Sequence, residues 1–155
     1  MTGGRGGGGS TAEIGNFTSH TTTTLPRNMV EGREKHGCAV VNINDNSRAV
    51  VVAAGGYYRS SSSGYVDLTS VERLVMPGDD YTAWYWETLP SLPQARSATS
   101  LSPTLDNKGV RIIGDWLGAS DVLELAPADN SSSWTKVENV SYSGTLHTVA
   151  PILAC

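Results

Sequence analysis

Histidine and cysteine are the soft metal ligands of this chain, and serine is its most abundant candidate for nucleophilic catalysis. His20, His36, His147 and Cys38 show neither the Cys-x-x-Cys nor the His-x-x-x-His spacing of a metal site. Serine is abundant, yet no Gly-x-Ser-x-Gly nucleophile motif occurs. We therefore expect no catalytic residue, no metal ion and no cofactor.

A different chemistry is suggested by Tyr57, Tyr58 and Arg59, which directly follow the pair Gly55-Gly56. Tyrosine and arginine are enriched at binding hot spots because they bring large contact areas and directional hydrogen-bond donors. The serines and glycines around them are typical of adaptable binding loops. The segment therefore predicts a protein-binding loop. The alternative, a solvated loop that covers the edge of a sheet, stays open at this point.

The composition of the chain narrows the class of partner. Its 155 residues include 11 Lys and Arg against 15 Asp and Glu, which gives a formal net charge of −4. Because nucleic-acid-binding surfaces are basic, we expect no nucleic-acid partner. No apolar run approaches the roughly 20 residues of a membrane-spanning helix, and the glycine-rich N-terminus lacks the apolar core of a signal peptide. We therefore expect a cytoplasmic protein without a membrane partner.

Short apolar runs separated by turn residues, without helical periodicity, predict an all-β fold. The valine-rich run that stops at Gly55-Gly56 pairs with the run before it as a hairpin, because Asn-Asp-Asn-Ser between them is typical turn sequence. The next two runs complete an antiparallel meander of four strands. The predicted strands are 38–43, 48–54, 70–75, 84–88, 110–113, 121–125 and 134–137.

One order of residues recurs along the chain. A glycine pair is followed by a short strand, then by tryptophan three residues before Leu-Pro or a similar pair, and then by a turn that contains arginine or glycine. Asp115 replaces the second glycine of the third pair, and Thr22 replaces tryptophan in the first copy. Glycine at a strand end permits positive φ, and an indole at a fixed place packs one sheet on the next. The pattern residues are Gly3, Gly4, Gly55, Gly56, Gly114, Trp86, Trp134, Arg33 and Arg96.

This pattern resembles the kelch repeat, whose period is about 50 residues and whose units are the four-stranded blades of a β-propeller. The resemblance spans nearly all of residues 1–155 and implies four-stranded antiparallel kelch blades. It divides the chain into a partial blade at 1–33, a complete blade at 34–95, a blade at 96–143 and the start of another at 144–155.

The number of blades predicts an incomplete β-propeller. Closure requires about four to eight blades, whereas this chain holds roughly two and a half. We therefore expect a fragment of a larger propeller, or a chain that completes itself by self-association through its open blade faces.

The resemblance to kelch substrate adaptors also implies which residues meet a partner. In those adaptors the positions just after the glycine pair line the surface that faces the ligand, and the Tyr-Tyr-Arg segment matches them. Arg5 and Trp116 occupy the comparable places in the other copies. Ser70 matches a surface serine before the Val-Glu strand, and Lys35 matches a basic position after Arg33. The implied binding residues are Tyr57, Tyr58, Arg59, Ser70, Lys35, Arg5 and Trp116.

The function implied by the resemblance is that of a protein-binding kelch module, part of a substrate adaptor of a cullin-type ubiquitin ligase. Its partner would be a peptide segment or a globular surface of another protein. Two alternatives stay open. An enzyme propeller resembling the galactose oxidase group would need metal ligands or a modified Tyr-Cys pair, for which Cys38 has no evident tyrosine. An actin-binding or scaffold kelch protein would share the features of an adaptor.

Overall fold

A computed structural model describes residues 9–16, 18–42, 50–60, 62–116 and 121–141. Strands make up 46% of these residues, which contain no α-helix and a single turn of 3-10 helix at Tyr81–Ala83. The strands are β1 (Glu13–Asn16), β2 (Thr21–Thr24), β3 (Gly37–Val41), β4 (Val50–Ala54), β5 (Tyr57–Ser60), β6 (Gly64–Asp67), β7 (Val71–Val75), β8 (Tyr85–Leu89), β9 (Ser100–Pro103), β10 (Val110–Ile113), β11 (Asp121–Leu125) and β12 (Thr135–Ser141).

Two four-stranded antiparallel sheets form the body of the protein. Sheet A has the order β3-β4-β7-β8 and sheet B the order β9-β10-β11-β12, while β1 pairs with β2 and β5 pairs with β6. Each of the seven predicted strands overlaps an observed strand. The prediction of an all-β fold with four-stranded antiparallel sheets is confirmed. No closed propeller forms within the described ranges.

The segment after the glycine pair is a hairpin, β5–β6, where the sequence predicts a loop. Its register runs from Tyr57 opposite Asp67 to Ser60 opposite Gly64. Ser60 Oγ accepts hydrogen bonds from two backbone N–H groups of the turn, each at 3.3 Å, and Gly64 has a φ of 76°. The serine run therefore supplies only the turn. Tyrosine and valine, which favour strands, form the arms on either side.

Two apolar clusters join the sheets. One lies between sheets A and B, and Trp134 packs at its edge with its indole Nε1 donating to Pro90 O at 2.7 Å. The other lies between the β1–β2 pair and sheet A and contains Trp86, which is 7% exposed. Each tryptophan thus packs one sheet against its neighbour, and burial of such a ring stabilises the fold by about 2–3 kcal/mol.

Two buried arginines, Arg33 and Arg96, link each sheet to the chain segment that precedes it. Arg33 donates to Ser70 O at 3.0 Å and forms an ion pair with the fully buried Glu72. Arg96 donates to Asp121 O at 3.0 Å and forms an ion pair with the carboxylate of the same residue. Buried charges must be paired and hydrogen-bonded. Arg33 therefore fixes its chain segment against the start of β7, and Arg96 fixes its segment against the start of β11.

The outer faces of the stack are polar where the structure describes them. Every residue of β2 is exposed. On sheet B, Arg111 and Glu124 form an ion pair at 2.6 Å across β10 and β11. Side chains alternate along a strand, so this pair lies on the face opposite the buried Val110 and Ile112. A charged pair reduces the apolar driving force for stacking a further sheet at this place.

Candidate functional site

Lys35, Tyr57 and Trp116, three of the residues predicted to bind a partner, lie around one cavity. They come from separate segments: the turn before β3, the start of β5 and the chain after β10. The cavity, which we call the Lys35 cavity, has a volume of about 330 Å³. Its lining residues are Lys35, Tyr57, Tyr65, Asp67, Ser97, Ala98 and Trp116.

Backbone hydrogen bonds place Tyr57 and Trp116 at equivalent points of the two sheets. The N–H of Tyr57 donates to Glu34 O at 2.9 Å, and the N–H of Trp116 donates to Ser97 O at 2.8 Å. Glu34 and Ser97 each directly follow a buried arginine, and both aromatic residues follow the turn at the end of the second strand of their sheet. Each unit thereby delivers one aromatic side chain to the same cavity.

The position two residues after each buried arginine has a left-handed backbone. Lys35 has a φ of 49° and Ala98 a φ of 52°. Such a conformation costs an ordinary residue about 1–2 kcal/mol, which the surrounding hydrogen bonds offset. It brings the Lys35 Nζ to 5.7 Å from the ring centroid of Tyr57 and to 5.1 Å from that of Trp116. The ammonium group is therefore held by two cation–π contacts.

Tyr65 and Asp67 also line the cavity, although the sequence does not predict them as binding residues. The rings of Tyr57 and Tyr65 meet edge to face, with centroids 5.0 Å apart and an interplanar angle of 78°. Tyr57 Oη donates to Glu34 Oε2 at 3.3 Å, which orients the ring. The strand-like order Gly-Tyr-Val-Asp is the sequence signal that could have placed Tyr65 beside Tyr57.

A second cavity of about 300 Å³ shares Tyr57 with the first. Tyr58 and Arg59, both exposed, line it together with the segment from Val30 to Glu34. We call it the Arg59 cavity. Tyr57 lines both cavities, and we call the residues that line the two cavities, taken together, the binding face.

Exposed apolar side chains concentrate on the binding face. Among the described residues six large apolar side chains are exposed, and four of them line one of the two cavities. These four are Val30, Tyr58, Tyr65 and Trp116. Clustered exposed apolar surface of this kind marks an interaction site more often than chance exposure does.

The remaining predicted binding residues lie elsewhere. Ser70 is half-buried, and its Oγ accepts a hydrogen bond from the buried Arg33 at 2.9 Å. That hydroxyl is therefore part of the contact between units and does not join the binding face. Arg5 lies outside the described residues, as do Gly3 and Gly4 of the pattern.

His36, the neighbour of Lys35, should make the fold sensitive to acid. Burial, and secondarily the positive charge of Arg33, lowers the pKa of His36 from 6.5 to about 4. Between these values the unfolded chain binds more protons than the folded one, so stability that is present above pH 6.5 is lost as the pH falls to 4. We expect His36 to account for a loss of about 3 kcal/mol in the free energy of unfolding over that range.

Urea denaturation at several pH values measures this loss. Carboxylates also titrate at the acid end, so the comparison is between wild type and His36→Asn, whose profile should be flatter. His20→Asn is the control, because His20 is exposed and asparagine tolerates its left-handed φ of 53°. Identical slopes in wild type and His36→Asn would contradict the prediction.

Comparison with known proteins adds no family: no family model matches the chain, and no curated protein matches it. Within the described part of the chain, no three or more His, Cys, Asp or Glu residues are grouped so that they could hold a metal ion. No helix in that part is long and apolar enough to cross a membrane. The binding face offers aromatic contact area and charged side chains.

Proposed function

We propose that the protein is a protein-binding module that holds its partner on the binding face. The observation that carries the proposal is that exposed Tyr58, Tyr65 and Trp116, with Lys35 and Arg59, line two cavities that share Tyr57. Aromatic residues and arginine dominate interface energies. Aromatic rings bury large areas for few rotatable bonds, and the guanidinium group presents several directional hydrogen-bond donors. The rigid sheets behind them limit the entropy that binding would cost.

The finer proposal is that the units are kelch-type blades and that the protein is part of a substrate adaptor of a cullin-type ubiquitin ligase. Four-stranded antiparallel sheets, tryptophans between sheets and arginines between units support the repeat. In an adaptor, the binding face would receive a peptide segment or a globular surface of the substrate. Ubiquitination of that substrate would then depend on an intact binding face.

Photo-crosslinking tests where the partner binds. Benzoylphenylalanine in place of Tyr58 should crosslink the partner in cells, because Tyr58 lies on the binding face and is 38% exposed. The control is the same replacement at Tyr81, which is 41% exposed but lines neither cavity. Equal crosslinking from both positions would count against the binding face.

Binding of the captured and purified partner to variants then measures the energetic contribution of the face. We expect Arg59→Ala to weaken the complex by about 1–3 kcal/mol, as truncation of a hot-spot residue does. The melting temperature should stay within a degree or two of wild type because Arg59 is exposed. Arg27→Ala, at an exposed arginine that lines neither cavity, is the matched control. If Arg59→Ala destabilises the fold while binding per folded molecule is unchanged, the segment is structural and the proposal is wrong.

A further inference from the structure

The ammonium group of Lys35 has no counter-ion in the described part of the protein. The ion pairs there join other residues, and Lys35 forms none. Its contacts are the aromatic faces of Tyr57 and Trp116. A ring face attracts the positive charge but accepts hydrogen bonds only weakly, so the three N–H donors of the ammonium stay available to a better acceptor.

A second unpaired charge lines the same cavity. Asp67 is half-buried at the end of β6, and it too lacks an ion pair with any residue that the structure describes. Its carboxylate repels an anion that enters the cavity, and the repulsion grows with the charge of that anion. Asp67 therefore disfavours a doubly charged anion near Lys35 more strongly than a singly charged one.

The remaining lining favours a short flexible side chain. The exposed rings of Tyr65 and Trp116 offer apolar contact to methylene groups, and Ser97 and Ala98 add two small side chains to the lining. A volume of about 330 Å³ is near the lower limit for ligand cavities, which suits one side chain of a peptide.

We propose that the Lys35 cavity recognises the carboxylate of a glutamate or aspartate side chain presented by a peptide segment of the partner protein. Its oxygens accept hydrogen bonds from Lys35 Nζ while its methylene carbons lie against Tyr65 and Trp116. Asp67 selects the single charge of a carboxylate over the greater charge of a phosphorylated side chain. This inference rests on the proposed protein-binding function and adds to it the chemistry of the recognised group.

Nuclear magnetic resonance titration of the full chain tests the proposal. The probes are the acetylated and amidated pentapeptides Gly-Gly-Glu-Gly-Gly, its glutamine analogue and its phosphoserine analogue. We expect the glutamate peptide to shift the indole N–H signal of Trp116 at millimolar concentration, and the glutamine peptide to bind roughly tenfold more weakly, because a charge-assisted hydrogen bond is lost. Absence of a shift with glutamate, or equal binding of glutamine, would overturn the proposal.

Two variants separate the roles of the charges. Lys35→Gln should weaken the glutamate peptide roughly tenfold, whereas Lys136→Gln, at an exposed lysine of β12, should leave its binding unchanged. Asp67→Asn should strengthen the phosphoserine peptide by a larger factor than the glutamate peptide. Equal effects of the two lysine variants, or no gain for phosphoserine, would contradict the assigned roles.

The same variants distinguish failure of this inference from failure of the proposed function. If Lys35→Gln leaves the purified partner's affinity unchanged while Arg59→Ala weakens it, the partner binds the face without using a carboxylate, and only the present inference is wrong. If neither variant changes the affinity of the partner, the proposed function is wrong as well.

Discussion

Replacement of Arg33 by methionine should lower the free energy of unfolding by about 3–5 kcal/mol, the usual loss when one partner of a buried ion pair is removed. Both Arg33 and Glu72 are fully buried, and the variant leaves the Glu72 carboxylate without its cation. Two backbone N–H groups, of Val30 at 2.6 Å and Glu31 at 3.1 Å, still donate to that carboxylate. They do not neutralise its charge, so the loss should be visible in urea denaturation.

Arg111→Met is the matched control for this prediction. Glu124 lies in β11, the third strand of sheet B, as Glu72 lies in β7, the third strand of sheet A, and each glutamate pairs with an arginine. The Arg111 and Glu124 side chains, however, are 36% and 25% exposed. Its loss should cost no more than about 1 kcal/mol, because water solvates the charge that is left. The double variant Arg33→Met, Glu72→Gln should recover part of the stability. Similar losses for the two single arginine variants would show that burial of the Arg33 pair is unimportant.

Gly56→Ala should destabilise the protein by about 3 kcal/mol, through two separable causes. Gly56 has a φ of 91°, a conformation that residues with a Cβ rarely adopt. A Cβ at this position would also lie 2.6 Å from Glu34 O and 2.9 Å from the Cβ of His36. Both atoms belong to the segment that holds Tyr57, so the backbone there would have to move.

Gly64→Ala isolates the conformational part of this effect. Gly64 has a comparable φ of 76°, but a Cβ there would meet no atom within 4 Å. The variant should therefore lose only about 1 kcal/mol in thermal or urea denaturation, the cost of the left-handed backbone alone. If Gly56→Ala and Gly64→Ala lose the same free energy, the close approach of Gly56 to Glu34 has no energetic consequence.

Much of the fold could be predicted from local sequence signals. The valine-rich run that stops at Gly55-Gly56 corresponds to β4, because a continuous apolar run favours burial on both sides of a strand and the glycines end it. The hairpin β5–β6 escaped prediction because its serine-rich turn resembles a long loop. Strand β2 escaped for another reason: its four consecutive exposed threonines carry no apolar alternation.

The candidate site was predictable only in part, since its residues meet through long-range packing. Tyr57 and Trp116 share a place in the repeat, so the repeat itself signals their proximity. The cation–π contacts of Lys35 depend on its left-handed backbone, a conformation that the residue type lysine does not indicate. Ser70 shows the converse: a serine expected at the surface proves to be a hydrogen-bond acceptor for Arg33, because the position before the third strand lies beside the end of the preceding unit.

The left-handed backbone shared by Lys35 and Ala98 has an evolutionary consequence. Both positions line the Lys35 cavity, and the N–H of Ala98 donates to Lys35 O at 2.9 Å, so this hydrogen bond does not depend on either side chain. Selection can therefore change the cavity-lining side chain at either place, among residues that tolerate a left-handed backbone, without altering the sheets. Exchange of the two residues would move the positive charge across the cavity, and a library that varies only these positions would sample new specificities on an unchanged scaffold.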